Sequence, residues 1–186
     1  MSRAHAVDPF VVRLPGRTLL LVAGLPGAGK STLLAAMTAP AGARVLDSGA
    51  ARAALARRLP GAVPYAWYRW LTHLAHRSGV LLACAGRADT VVVHLPATSP
   101  AVRAAVRALA RVARREPHLL WLDVPADQAL AGQRARGRVV RSRSFAVHVE
   151  RARGTSERLR AGRERGWTSV RIADRSGARR GLALAK

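Results

Sequence analysis

The chain has 186 residues and a mass of 19.8 kDa, the size of one compact domain. With 49% hydrophobic residues it can bury a core, yet no apolar run approaches the ~20 residues of a membrane-spanning helix. The formal net charge is +22, but 30 of the 32 basic residues are arginine beside many alanines, so base-composition bias explains the excess better than a dedicated polyanion partner.

The charge still predicts non-specific attraction to nucleic acid. The first ten residues lack the hydrophobic stretch of a signal peptide, which points to a cytoplasmic protein. One cysteine, Cys84, excludes a disulfide framework and a four-cysteine metal site, and reads as a small buried hydrophobe. Of the two lysines, Lys186 is the last residue and Lys30 sits in the most informative segment of the chain.

Residues 1–16 read as a flexible N-terminus. Residues 18–23 are a near-continuous apolar run, as expected of a central parallel strand buried on both faces. That run leads into Gly24-Leu25-Pro26-Gly27-Ala28-Gly29-Lys30-Ser31-Thr32, which matches the G-x-x-x-x-G-K-[ST] phosphate loop. Residues 31–38 follow as a helix, with Leu33, Leu34 and Met37 at helical spacing. The glycines let the backbone curl until successive N–H groups converge on an anion. Lys30 is a compact charge suited to the β- and γ-phosphates, which the planar fork of arginine does not reproduce. Ser31 offers its hydroxyl to Mg²⁺. Strand, loop and helix in register predict a site for a nucleoside triphosphate.

Residues 44–47 read as a short strand ending in Asp47, and residues 48–59 as a helix carrying Arg52 one turn in. Asp47 lies where ligands of parallel sheets bind, and it also suits a helix N-cap. Arg52 would hold an anionic part of a substrate or face solvent. After a Pro-Gly break at residues 60–64, a long helix is expected over 65–85. Four of the eight aromatics fall at Tyr65, Trp67, Tyr68 and Trp70. Helical spacing of Trp67, Trp70, Leu71 and Leu74 assigns them to the core in preference to stacking on a ligand. His73 and His76 are three apart, with no motif placing a third metal ligand.

A third strand is expected over 90–95, ending in His94-Leu95-Pro96-Ala97-Thr98 without an acid; His94 and Thr98 could line a site as neutral groups. Residues 101–115 form a helix whose Arg103, Arg107 and Arg111 read as a solvated stripe opposite Val102, Val106 and Leu109. A fourth strand follows at 118–124, with Asp123 as cap of the next helix, 126–136. Residues 137–144 are a basic loop, 145–162 a helix, 167–173 a fifth strand, and 174–186 a loose Gly- and Arg-rich tail. Strands alternating with helices indicate an α/β domain with a parallel sheet.

The phosphate loop, the segment Val45-Leu46-Asp47-Ser48 with Arg52, and Gln133-Arg134-Ala135-Arg136-Gly137-Arg138 together resemble the nucleoside-monophosphate-kinase-like branch of P-loop proteins. More narrowly, the chain looks like the small P-loop kinases often labelled AAA family ATPases, which include zeta-toxin-like and polynucleotide-kinase-like members. The resemblance spans residues 17–175, leaving 176–186 as a flexible basic tail. It implies a three-layer P-loop NTPase fold, a five-stranded parallel sheet in order 2-3-1-4-5, and an Arg-rich lid at about 134–145.

The resemblance also implies transfer of the ATP γ-phosphate with Mg²⁺ held by Ser31 and Asp47. Lys30, Asp47, Arg134 and Arg138 would be catalytic, and Asp47 with Arg52 would bind the acceptor. The acceptor would be a small-metabolite or sugar-nucleotide hydroxyl, or else a polynucleotide 5′-hydroxyl. A monomer or weak dimer is expected. The rival reading is a nucleotide-dependent switch that holds nucleic acid, favoured by the missing acid after the third strand.

Overall fold

The computed structural model describes residues 10–59, 63–135, 137 and 142–185. Five parallel strands form the main sheet: β2 (Thr18–Gly24), β4 (Arg44–Asp47), β5 (Thr90–His94), β6 (Glu116–Leu122) and β7 (Ser169–Ala173), in the order β4-β5-β2-β6-β7. Every residue of β2 is buried, and Val91–Val93 and Leu119–Leu122 flank it with equally buried side chains. These segments are the most continuous apolar runs in the chain, and a parallel strand covered on both faces asks for that composition.

Helices α3 (Tyr65–Ala85) and α4 (Pro100–Val112) pack on this sheet, α3 against β4 and β5 and α4 against β2 and β6. The short α2 (Ser48–Ala56) lies against α3 and buries none of its residues. Helices α5 (Ala126–Arg134) and α6 (Ser142–Arg160) follow β6, and α7 (Arg175–Arg180) follows β7.

A second sheet holds both ends of the described chain. In it β8 (Leu182–Ala185) lies between β1 (Phe10–Arg13) and β3 (Met37–Thr38), all parallel. Parts of the expected flexible N-terminus and loose tail thus carry secondary structure, β1 at 10–13 and α7 with β8 within 175–185. Val12, Leu14, Leu182 and Leu184 alternate with more exposed residues and are buried, a period-2 pattern that surrounding arginines and glycines masked. The same sheet shortens the first helix. Helix α1 (Lys30–Ala35) stops early because Met37 and Thr38 leave it to pair with Leu182 and Ala183.

Two arginines, Arg103 (expected at the surface) and Arg115, are structural. Arg103 is 0% exposed; it makes a two-pronged pair with Glu164 and donates to the Ala97 and Thr98 carbonyls at 2.8 and 3.0 Å. Burial alone would raise the Glu164 carboxyl, but the Arg103 hydrogen bonds and charge outweigh it and hold it low. Helix α4 thus turns Arg103 inward and leaves Val102 exposed, against expectation, while Val106 is buried and Arg111 exposed as expected. Arg115, also buried, donates to the carbonyls of Cys84, Ala83, Gly86, Thr18 and Asp89, tying the end of α3 to the start of the sheet. This role ends α4 at Val112 and starts β6 at Glu116, both earlier than spacing predicts.

Helix α3 covers the sheet with Thr72, His76, Val80 and Cys84, one residue every four. Trp67 is 75% exposed, Trp70 65%, and Leu74 also points outward, so their assignment to the core is corrected. A 3.6-residue period identifies a stripe but does not say which stripe a neighbour covers.

Candidate active site

The phosphate loop follows the carboxyl end of β2, with the ends of β5 and then β4 beside it in the sheet. Gly24 closes β2 at φ 140° and donates its N–H to the Pro96 carbonyl at 3.1 Å, joining the loop to the turn after β5. Gly27, at φ 90°, lies so close to α5 that a Cβ there would stand 2.0 Å from the Ala129 carbonyl oxygen. Gln133 of α5 donates to the Pro26 carbonyl at 2.9 Å. The loop is therefore clamped by α5, the helix that precedes the basic segment.

Lys30 is 4% exposed, and its Nζ donates to the Gly24 and Leu25 carbonyls at 2.8 and 2.7 Å. These bonds hold the ammonium within the curl of the loop. At Gly29 a side chain would meet only the Ala178 Cβ, 4.0 Å away, so the backbone there is open to close approach. A cavity of about 230 Å³ borders Gly27, Gly29 and Thr32 and is lined also by Arg175 and Arg179 of α7. A buried ammonium, an accessible glycine backbone, the half-buried Ser31 beside Lys30, and two guanidiniums form a donor set that suits a polyphosphate. Sequence reasoning missed Arg175 and Arg179. The available signal was Asp174, whose side chain caps α7 by accepting from the Gly177 N–H at 2.7 Å.

Asp47 and His94 face each other in register at the ends of β4 and β5. His94 Nδ1 donates to Asp47 Oδ1 at 2.6 Å, and the Gly49 N–H donates to the same oxygen at 3.1 Å. Asp47 is thus the N-cap of α2 as well as a strand-end carboxylate. The His94 hydrogen bond is the main reason its pKa falls to about 2, against the opposing effect of burial. Neither bond falls on Oδ2. His94 therefore stands where an acid was missed, and it serves to fix Asp47.

Beyond the β5 turn, the Thr98 hydroxyl and His148 Nδ1 of α6 are hydrogen-bonded at 2.8 Å. Burial holds His148 below the usual imidazole pKa, and the nearby charges of Arg151 and Lys30 push the same way. His76 is lowered mainly by burial, with Asp47 partly opposing.

The other sequence candidates are more dispersed. Arg52 stacks its guanidinium on the Tyr65 ring, 3.9 Å from the centroid, along the α2–α3 seam. Arg134 is exposed in the last turn of α5, and Arg143 is exposed in the first turn of α6. Arg136, Arg138 and Arg141 lie outside the described residues. Asp123 does not cap α5. It accepts from the Ser156 hydroxyl at 2.8 Å and from Arg160, which pins α6 to the end of β6.

A family model for the AAA domain matches residues 19–161, from β2 through the end of α6. No curated protein matches the chain. Among solved structures, a candidate kinase from Chloroflexus aurantiacus aligns with TM-score 0.57 and 17% identity, covering 84% of each chain. A structure from the PezAT chromosomal toxin–antitoxin system of Streptococcus pneumoniae aligns with TM-score 0.60 and 11% identity, covering 90% of this chain and 70% of that one. At these identities the likeness is one of fold. The family match extends over most of the chain, and the protein belongs to this AAA-domain family of P-loop proteins.

Proposed function

We propose that the protein is a Mg·ATP-dependent kinase that transfers the γ-phosphoryl group to a hydroxyl of a small-molecule acceptor. The observation that carries this reading is the buried Lys30 in its glycine loop, beside strand ends that present the Asp47–His94 pair. The loop amides and Lys30 bind the β- and γ-phosphates, while Ser31 and Asp47 would hold the metal. Bound Mg²⁺ supplies charge neutralisation on the phosphate oxygens. Arg134 and Arg138 are the proposed source of positive charge for the transferred group, where negative charge spreads over its oxygens.

Asp47, with a pKa of about 2, is a weak base. Its part is to orient the acceptor hydroxyl, and a loose phosphoryl-transfer transition state asks little more of a base. Arg52, packed on Tyr65, sits on the same flank as a positioning group for the acceptor. Arg175 and Arg179 bind the nucleotide from the α7 side.

The test is transfer of label from γ-labelled ATP with Mg²⁺ to a panel of hydroxyl acceptors, for wild type and Lys30→Ala. Label on one acceptor, lost in Lys30→Ala, is the expected result. Label passing only to water, or nowhere, would favour a nucleotide-dependent switch. One observation supports that second reading: β5 ends in His94, with no acid there to support a metal.

A further inference from the structure

A cavity of about 730 Å³ lies between α3, α4 and α6, next to the turn that follows β5. That volume falls in the range of small-molecule sites, ~300–1,000 Å³. Its wall is chiefly aliphatic, built by side chains such as Val80, Leu95, Val106 and Leu109. Arg77 and Arg151 also line it, but both are solvent-exposed. The enclosed part of the wall therefore offers apolar surface and a few neutral polar groups.

One of those groups is unusual. His76 is 6% exposed, lines the cavity, and its Nε2 is buried with no hydrogen-bond partner among the described residues. Buried polar atoms in folded proteins are nearly always bonded, and an unbonded one on a residue that lines a cavity marks a position a ligand can fill. Burial keeps this imidazole neutral at physiological pH.

The cavity abuts the phosphate loop through Pro96, a wall residue whose carbonyl accepts the Gly24 N–H at 3.1 Å. Thr98 and His148, hydrogen-bonded to each other, belong to its wall, and His148 lies within the electrostatic reach of Lys30. His76 lies within that of Asp47. The turn between them is held rigidly. Ala97 has φ 44°, uncommon for a residue with a Cβ, and its carbonyl is gripped by buried Arg103.

We propose that this cavity is the acceptor site, and that the acceptor is an alcohol with an apolar body, uncharged where it is buried, whose hydrogen-bonding group meets His76 Nε2. The proposal rests on the kinase reading above. The acceptor oxygen bonds to the γ-phosphorus as the bond to the β–γ bridging oxygen breaks. ADP leaves with that electron pair, and the hydroxyl proton is released to solvent.

The probe is 2-(2-naphthyl)ethanol, titrated by its own fluorescence without ATP and then offered γ-labelled ATP. Wild type should bind it saturably and phosphorylate it. Ala105→Trp, at an exposed position on the α4 wall, should fill the cavity and weaken binding about tenfold or more. His76→Phe keeps the volume but removes the nitrogen, and should weaken binding about fivefold. Both variants should bind a fluorescent ATP analogue as wild type does. Equal probe binding by wild type and both variants, or loss only in Trp67→Ala or Trp70→Ala on the outer face of α3, overturns the proposal. Wild type that binds the ATP analogue but not the probe overturns the acceptor site alone. Analogue binding absent from wild type, or unchanged in Lys30→Ala, overturns the kinase reading and the acceptor role with it.

Discussion

The β2–β6 centre and the β4–α2–α3 flank belong to one parallel sheet, yet they bury their residues very differently. In β2 every side chain is buried and the phosphate loop at its end is clamped by α5. In β4 Arg44 and Val45 are exposed, α2 buries nothing, and α3 turns Trp67 and Trp70 to solvent. The centre is where binding geometry must be rigid, and close packing supplies that. The flank carries Asp47 and Arg52 on elements with few buried contacts, the kind of region that opens at low cost. Six substitutions, in four tests, would break or sharpen this contrast.

The largest effect is expected at Gly27. Alanine there would bring its Cβ 2.0 Å from the Ala129 carbonyl at a φ of 90°. Backbone strain and overpacking together should cost about 4 kcal/mol or lift the loop from α5. Either way nucleotide binding is lost, which thermal unfolding and nucleotide titration would separate. Normal stability and affinity in Gly27→Ala would show that α5 is not the clamp.

Next comes Glu164→Gln, which leaves the fully buried Arg103 without its carboxylate. Breaking a buried pair this way typically costs about 3 kcal/mol, readable by denaturant unfolding. A loss below ~1 kcal/mol would mean that the carbonyls of Ala97 and Thr98 suffice.

Much of the centre was legible in the sequence because composition and position agree there: a run such as residues 18–23 is apolar on both faces and admits one placement. The phosphate loop was legible from its spacing. The flank was less so, because apolar residues at helical spacing mark two possible faces of α3, and only packing chose Thr72, His76, Val80 and Cys84. Arg103 was misread, and the role of Arg115 was missed, for a related reason. In a chain with 30 arginines the type says little, and burial depends on Glu164 and on backbone carbonyls distant in sequence. The second sheet escaped notice because β8 is four residues long and pairs with strands at the other end of the chain.

Asp47 offers a smaller, pH-dependent effect. Its pKa is about 2 when folded and 3.8 as a free side chain, so it contributes stability that is complete above pH ~4 and lost as pH falls toward 2. The shift corresponds to about 2 kcal/mol at neutral pH. Asp47→Asn should lose about that much at pH 7 and approach wild type near pH 2, flattening the acid limb of the stability curve. His94→Gln, keeping a donor but not the ring, should lose a part of it. An unchanged acid limb in Asp47→Asn would show that the His94 bond does not hold the carboxylate.

The smallest effect should come from the largest side chain. Trp70 is 65% exposed, and Trp70→Ser should change unfolding free energy by less than about 0.5 kcal/mol. Val80, ten residues on in the same helix, is buried, and Val80→Ser should cost about 2 kcal/mol through lost apolar contact and a buried hydroxyl. Ranking by residue size reverses this order, so the pair measures which face of α3 is covered. If Trp70→Ser costs more than Val80→Ser, something covers the outer face in solution, and the loss should then depend on protein concentration if that cover is a second copy. If the order holds at every concentration, the indoles stand free, and the flank owes its stability to the Thr72–Cys84 stripe alone.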